Sequence, residues 1–250
     1  MQTSVERVYQ YNEDAYQASG LDAQRRYPNE ELCRFMGRNY FSVPRSERKS
    51  IRVLEIGSGS AANLWMIAKE GFDAYGIDLA PSAIDLAHQM LKYQGQTAHL
   101  KTGSMTELPY EDVFFDCVVD IFSTYCLDQK GYDRTLAQVS RVLKPGGKFF
   151  TYAPGKNSDA WKNHAPAEKL DGSTLNGIYR ENSPYSPSPY PFRFTSIEQV
   201  KSEALRNNLN VTNVETVGRT YRSGQEYFEF IVAEASKISS KSACFASAGN

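Results

Sequence analysis

Between positions 50 and 153 the chain alternates short continuous runs of apolar residues with stretches in which apolar residues recur at intervals of three and four. This pattern predicts strands at 51–56, 72–77, 97–101, 114–121 and 148–153, and the β-branched run 51–56 has the form of a buried strand. The helical spacing predicts helices at 61–69, from Pro81 onward, and at 132–143. Alternation of this kind is typical of a parallel sheet with helices on both faces.

A second group of elements follows near the end of the chain. Thr195 and Glu198 have the spacing of a capping box, which predicts the start of a helix. Apolar runs at 211–217 and 227–233 then predict two strands joined by a turn near Ser223 and Gly224.

The remaining segments do not follow the alternation. Weaker helical patterns around Val8 and Phe35 predict an N-terminal helical cap over 1–49. Residues 154–194 contain six prolines and no clear periodicity, which predicts an inserted lid within a main domain spanning 50–235. The small and polar residues 236–250 predict a flexible tail.

Composition limits the partners that we expect. The 28 Lys and Arg residues nearly balance the 29 Asp and Glu residues, so nothing predicts a nucleic-acid partner. The absence of an apolar run of about 18 residues and of a cationic, apolar start predicts a cytoplasmic protein with no membrane partner. The four cysteines and three histidines are scattered, which predicts neither a disulfide framework nor a metal site.

Candidate ligand-binding residues follow the first, second and fourth strands of the predicted sheet. Gly57 and Gly59 follow the first strand, where they permit a tight turn and a close approach to a ligand. Asp78 ends the second strand 21 residues after Gly57, a distance typical of a carboxylate that binds ribose hydroxyls. Because open α/β sheets bind ligands at the carboxyl ends of their strands, we expect these residues to share one site.

Four segments in order make the pattern specific. The sequences VLEIGSGSA (53–61), GIDLAPSAI (76–84), FDCVVDIFSTYCL (115–127) and LKPGGKFF (143–150) resemble the successive motifs of class I S-adenosylmethionine-dependent methyltransferases. This resemblance covers about residues 50–153. It implies an α/β fold, with a Rossmann-like, seven-stranded, mostly parallel sheet, helices on both faces and a reversed last strand. It also implies S-adenosyl-L-methionine as cofactor and methyl transfer as the reaction.

The resemblance assigns roles to residues of those motifs. Gly57 and Gly59 would lie against the amino acid moiety of the cofactor, with Glu55 beneath the loop to orient it. Asp78 would bind the ribose and Leu79 would pack against the adenine. The remaining cofactor-binding candidates are Ser104 and Met105 near the adenine, where relatives carry an acidic residue that is absent here, and Asp120 and Ile121 near the methionine part, with Asp120 contacting its ammonium.

Methyl transfer is an in-line displacement, so the protein mainly has to align donor and acceptor and exclude water. A base is needed when the acceptor must lose a proton. We take Tyr125 and His164 as catalytic candidates, although His164 could equally be a surface histidine. Tyrosines of the cap and the insertion could bind the substrate or simply pack the cap; those candidates are Tyr9, Tyr11, Tyr16 and Tyr179.

The expected acceptor is a small molecule, methylated on nitrogen or oxygen. The segment 120–123 after the fourth strand does not resemble the Asn-Pro-Pro-Tyr sequence of enzymes that methylate base amino groups or glutamine amides. Two alternatives stay open. Gly57, Gly59 and Ala62, with Asp78, also match the fingerprint of NAD(P)-dependent Rossmann oxidoreductases, and the chain could be a non-catalytic S-adenosylmethionine-binding module.

Overall fold

The computed structural model describes residues 4–239 and contains one large sheet and a two-stranded ladder. The strands are β1 (Arg52–Ile56), β2 (Asp73–Asp78), β3 (His99–Thr102), β4 (Phe115–Ile121), β5 (Leu143–Pro154), β6 (Thr174–Leu175), β7 (Phe192–Arg193), β8 (Leu209–Tyr221) and β9 (Glu226–Lys237). The large sheet has the order β3-β2-β1-β4-β5-β9-β8. Strands β1 to β5 are parallel, and β9 is antiparallel to both β5 and β8. The predicted sheet and its reversed last strand are therefore confirmed.

The helices within the described residues are α1 (Ser4–Ser19), α2 (Glu30–Tyr40), α3 (Leu64–Lys69), α4 (Pro81–Tyr93), α5 (Gln129–Val142), α6 (Asp159–Lys162) and α7 (Ile197–Arg206). Side chains fix several of their starts. Asn29, Asp128 and Ser196 each accept hydrogen bonds from backbone N–H groups in the first turn of α2, α5 and α7. The cap at Asp128 explains why α5 begins three residues before the predicted position.

The core lies on both faces of the sheet, because successive strand residues point in opposite directions. On one face Val53 and Phe150 pack with Phe35 of α2. On the other face Leu54 and Phe149 belong to a second apolar cluster that includes α5. Both faces are therefore covered by helices, as the alternating pattern predicts.

Three boundaries differ from the prediction. Helix α3 starts at Leu64 rather than at 61, because Ala61 has a φ of 64° and interrupts the helix. Strand β5 starts at Leu143 rather than at 148, and its pairing with β4 shifts between Leu143 and Lys148, where Gly146 has a φ of 77°. The tail does not begin at 236, because Ser236 still pairs with Lys148 in β9; residues 240–250 of that prediction lie outside the described residues.

The proline-rich segment 154–194 contains α6, β6 and β7, elements too short to leave a periodic signal. Phe192 of this segment is fully buried in the core. An ion pair of 2.7 Å joins Arg180 to Glu226 of β9, and Asn157 donates to Glu229 of β9 at 3.1 Å. The insertion is thus anchored to the last strand of the sheet at several points.

Across residues 4–239, no helix combines the length and the apolar character that crossing a bilayer requires.

Candidate active site

A cavity of about 150 Å³ opens at the carboxyl ends of β1, β2 and β4, beneath helix α1. Eight residues singled out from the sequence line it, namely Tyr9, Tyr16, Gly57, Asp78, Leu79, Ser104, Met105 and Tyr125. The other lining residues are Val8, Asn12, Ile77, Ala80, Gly103, Thr106, Phe122, Ser123, Cys126, Leu127, Asp128 and Gly131. The cavity therefore joins the end of the sheet to the N-terminal helix.

Asp78 ends β2 and ties together two turns at the cavity wall. Its Oδ2 accepts a hydrogen bond from the backbone N–H of Gly59 at 2.8 Å, and its Oδ1 accepts one from Ala80 at 3.0 Å. Because a carboxylate oxygen can accept two hydrogen bonds, each oxygen keeps capacity for a ligand hydroxyl. Burial raises the pKa of Asp78, while the backbone N–H groups oppose that rise.

Gly57 occupies a position that no other residue can fill without strain. Its φ is 64°, and a Cβ there would lie 2.8 Å from Ser123 Oγ and still closer to Ser123 Cβ. Gly59 has a φ of 48°, and a Cβ there would lie 2.9 Å from the hydroxyl oxygen of Tyr16. Gly57 lines the cavity, whereas Gly59 lies outside its lining, next to Tyr16.

Glu55 lies beneath this loop and is almost completely buried. Its Oε1 accepts a hydrogen bond from Asn63 Nδ2 at 2.6 Å, and its Oε2 has no hydrogen-bond partner. Burial raises the pKa of Glu55 to about 8, against the lowering effects of Asn63 and Arg25.

Asp120 does not face the cavity, so the expected contact with the methionine ammonium is wrong. It is fully buried, and its Oδ1 accepts from the backbone N–H groups of Ser123 and Thr124 at 3.0 and 3.1 Å. Its Oδ2 accepts from the hydroxyls of Thr124 and Thr151 at 2.6 and 2.8 Å. These bonds fix the turn that follows β4, which is a structural role.

Helix α1 forms the roof of the cavity. Tyr9, Asn12 and Tyr16 line it from this helix. Burial, and then the negative charge of Asp78, raise the pKa of the Tyr16 hydroxyl. The Tyr16 hydroxyl lies beside the glycine loop, where a Cβ on Gly59 would be 2.9 Å from it. The carboxylate of Glu13 holds the helix in place by accepting from the hydroxyl and backbone N–H of Ser82 at the start of α4.

An aromatic wall closes the opposite end. Phe122 packs on Tyr125 with ring centroids 4.4 Å apart and on Tyr185 of the insertion at 4.8 Å. The Tyr125 hydroxyl lies 3.0 Å from that of Tyr190, also from the insertion. Phe122 has a φ of 56°, a conformation that a bulky residue rarely adopts, and its N–H donates to the carbonyl of Tyr152 at 2.9 Å.

Four further predicted residues lie outside the cavity. His164 Nδ1 is 2.8 Å from the carbonyl oxygen of Ala167 within the insertion, and His164 does not line the cavity. Ile121 is buried, while Tyr11 and Tyr179 are 41% exposed. Tyr11 packs on Tyr190 from outside, with ring centroids 4.9 Å apart. The sequence could not distinguish these residues from lining ones, because their placement depends on how the cap and the insertion fold back on the sheet.

Sequence reasoning also missed several lining residues. Asn12 lies one helical turn from both Val8 and Tyr16, which also line the cavity. This spacing of four residues along one helix face could have predicted that Asn12 lines the cavity too. Phe122 and Cys126 flank Tyr125 after β4, and their proximity to a candidate was the signal there. Tyr190 and Asn63 do not line the cavity but bond to Tyr125 and Glu55, respectively. No local sequence pattern predicts these two contacts.

Comparisons with known proteins agree with this geometry. A family model described as a methyltransferase domain matches residues 53–147. Sterol 4-C-methyltransferase strm-1 of Caenorhabditis elegans is 28% identical over 113 residues, covering 44% of this chain and 33% of the relative. Demethylmenaquinone methyltransferase of Tropheryma whipplei is 34% identical over 99 residues, covering 39% of each chain. The chain thus spans less than half the length of these curated relatives.

A solved structure resembles nearly the whole chain. The 1,6-didemethyltoxoflavin-N1-methyltransferase of Burkholderia thailandensis, solved with its substrate and S-adenosylhomocysteine, has a TM-score of 0.58 and 13% identity. The likeness covers 96% of this chain and 92% of that one. At this identity it supports the fold alone.

The strand order, the glycine loop with Asp78 at the same edge, and the methyltransferase-domain model over residues 53–147 agree with one another. In its fold and in these residues the chain is similar to class I S-adenosylmethionine-dependent methyltransferases. S-adenosylmethionine is the cofactor of this class.

Proposed function

We propose that the chain transfers the methyl group of S-adenosylmethionine to a nitrogen or oxygen atom of a small-molecule acceptor. The observation that carries this proposal is the cavity itself, which has the glycine loop and Asp78 on one side and an aromatic wall on the other. The names of the relatives support a small-molecule acceptor, since they refer to a sterol, to demethylmenaquinone and to didemethyltoxoflavin; the last is named for nitrogen and the sterol for carbon.

The residues present fit the cofactor. Asp78 retains hydrogen-bonding capacity on both oxygens for the ribose hydroxyls, and Gly57 leaves the backbone bare where an amino acid moiety would lie. Leu79 and Met105 supply apolar surface for the adenine. When bound, the cofactor supplies an activated methyl group on a positively charged sulfur.

The acceptor would enter against the aromatic wall. Tyr9 and Phe122 present ring surface, and the Tyr125 hydroxyl is held by Tyr190. Burial raises the pKa of Tyr125 well above the usual value, so its hydroxyl stays protonated near neutral pH and orients the acceptor as a hydrogen-bond donor. Tyr125 therefore acts in this proposal by orientation and not as the base.

The decisive experiment has a binding arm and a turnover arm. Calorimetry should show binding of S-adenosylhomocysteine, and Asp78→Asn should weaken it about tenfold or more through loss of the charged acceptor. Because the amide keeps only one of the two backbone acceptors, both proteins are compared at a temperature at which both are folded. Transfer of labelled methyl from S-adenosylmethionine to a panel of amines, hydroxylated compounds and carbon nucleophiles then identifies the acceptor atom. Methylation on carbon, the atom named for the sterol relative, would refute the nitrogen or oxygen assignment.

The same experiment separates the alternatives. Binding of S-adenosylhomocysteine without turnover on any acceptor would indicate a non-catalytic module. Tight binding of NADH in its place would indicate an oxidoreductase, a reading that the methyltransferase family model already disfavours.

A further inference from the structure

The side chain of Asn63 lies between the glycine loop and the segment that precedes α2. An asparagine at the start of a helix usually accepts hydrogen bonds from the backbone of the first turn. Asn63 precedes α3 directly and makes no such bond. Asn63 is 97% buried, and its amide bonds instead to Arg25, Asn29 and Glu55.

The hydrogen bonds of Asn63 fix which way its amide points. Oδ1 accepts from Arg25 Nη2 at 2.8 Å and from the backbone N–H of Asn29 at 2.9 Å. Nδ2 donates to Glu55 Oε1 at 2.6 Å. Because both partners of Oδ1 can only donate, the reversed amide would lose these two bonds, and the observed orientation places Nδ2 against Glu55.

The segment 21–29 reaches α3 through few other contacts. Trp65 Nε1 donates to the carbonyl of Arg26 at 3.0 Å, and the Arg26 side chain pairs instead with Asp22 within its own segment. Arg25 is thus the side chain of this segment that reaches the carboxylate network, through Asn63. A disturbance of the segment can therefore reach Glu55 through the Asn63 amide, in addition to the direct effect of the Arg25 charge.

Burial raises the pKa of Glu55, and the hydrogen bond from Asn63 is the largest influence that lowers it. Arg25 favours the ionised form, whereas Asp78 and Asp120 oppose it, and Tyr16 lies close enough for its own titration to respond to Glu55. An ionised carboxylate near the site strengthens binding of a cationic ligand, and a donated hydrogen bond favours that ionised form.

We propose that Asn63 is a positioning residue that couples docking of segment 21–29 to the ionisation of Glu55, and thereby to cofactor affinity. This inference rests on the proposed function. Asn63 does not line the cavity, yet the proposal gives it an effect on cofactor affinity. The exposed Arg25 would affect that affinity through its hydrogen bond to Asn63.

The test measures binding of S-adenosylmethionine by calorimetry from pH 6 to 9, without acceptor. Asn63→Asp keeps the acceptor for Arg25 and Asn29 and replaces the donor to Glu55 by an oxygen. At pH 7, below the Glu55 pKa of about 8, affinity should fall about tenfold for each unit by which the variant raises that pKa, because the ionised fraction falls by the same factor. We also expect the pH midpoint to shift upward relative to the unaltered chain. The amino group of the ligand titrates equally in both proteins, so the shift reports the protein.

Arg25→Met tests the other half of the network, and Arg26→Met is its matched control in the same segment. Arg25→Met should weaken binding severalfold and shift the midpoint upward, whereas Arg26→Met should change neither. Hydrogen exchange should show that S-adenosylmethionine protects segment 21–29 in the unaltered chain, and less so in Arg25→Met.

The outcomes separate the two proposals. If the unaltered chain does not bind S-adenosylmethionine, the proposed function fails. If it binds and both Asn63→Asp and Arg25→Met keep its affinity and pH midpoint, the coupling is overturned while the function stands. Should Asn63→Asp fail to fold, Arg25→Met decides alone, because Arg25 is exposed and its replacement leaves the buried contacts of Asn63 with Glu55 and Asn29 intact.

Discussion

Replacing Asp120 should destabilise the fold without acting directly on the cofactor. In Asp120→Ala the backbone N–H groups of Ser123 and Thr124 lose their acceptor. Each buried unpaired group costs about 1–3 kcal/mol, so we expect a loss of about 2–6 kcal/mol. The hydroxyls of Thr124 and Thr151 can rotate toward other partners and add little. In Asp120→Asn one oxygen still accepts from both N–H groups, and the loss should be about 1 kcal/mol.

Urea unfolding of the two variants beside the unaltered chain measures this difference, since a change in midpoint at constant slope reports stability. Calorimetry with S-adenosylhomocysteine at a temperature where all three are folded provides the second readout. Equal stability of the alanine and asparagine variants would refute the assignment of the two backbone bonds. Unchanged stability of Asp120→Asn together with a large loss of affinity would restore the ammonium contact that the sequence suggested.

Three other substitutions test separate features. Gly57→Ala should destabilise the fold more than Gly95→Ala. Both glycines have a φ of 64°, but only at position 57 would the new Cβ lie against a neighbour. Equal losses of about 1 kcal/mol in thermal unfolding would show that the crowding is unimportant. Burial raises the pKa of Glu55 from 4.5 to about 8, so the folded chain keeps a proton that the unfolded chain releases across that window, and stability falls as pH rises through it. Glu55→Gln should flatten this decline between pH 5 and 8, and an unchanged slope would contradict it. Arg193→Met should cost about 3–5 kcal/mol by leaving the buried Glu203 unpaired, and adding Glu203→Leu should recover much of it, which a double-mutant cycle of unfolding energies can check.

Much of the sheet and one side of the site could be read from local signals. Strands β1 and β4 are short runs that are mostly apolar; the glycine loop directly follows β1, and Asp78 ends β2. Since parallel strands place their carboxyl ends at one edge, chain order alone brings Gly57 and Asp78 together. The hydrogen bond from the Gly59 backbone N–H to Asp78 shows that the loop and the carboxylate are in contact.

The rest depends on contacts between residues that are distant in sequence. Asp120 and Asp78 both lie at the carboxyl ends of their strands. Asp120 accepts hydrogen bonds from the turn that follows it, whereas Asp78 lines the cavity. Tyr190 reaches Tyr125 only because the insertion folds back over β4. His164 looked suitable for a base by its chemistry, but the carbonyl of Ala167 occupies its Nδ1 within a local turn. Periodicity carries no information about such choices.

The left-handed backbone at Phe122 constrains any attempt to re-engineer the acceptor end. The conformation costs about 1–2 kcal/mol for a residue with a side chain, and the stacking of its ring on Tyr125 and Tyr185 offsets that cost. Replacing Phe122 by alanine would enlarge the space, but it would keep the strained backbone and remove the ring stacking that offsets the strain. Glycine would relax the backbone and leave a void. Directed evolution for bulkier acceptors should therefore start from the insertion-borne partners of Phe122 and leave this position untouched.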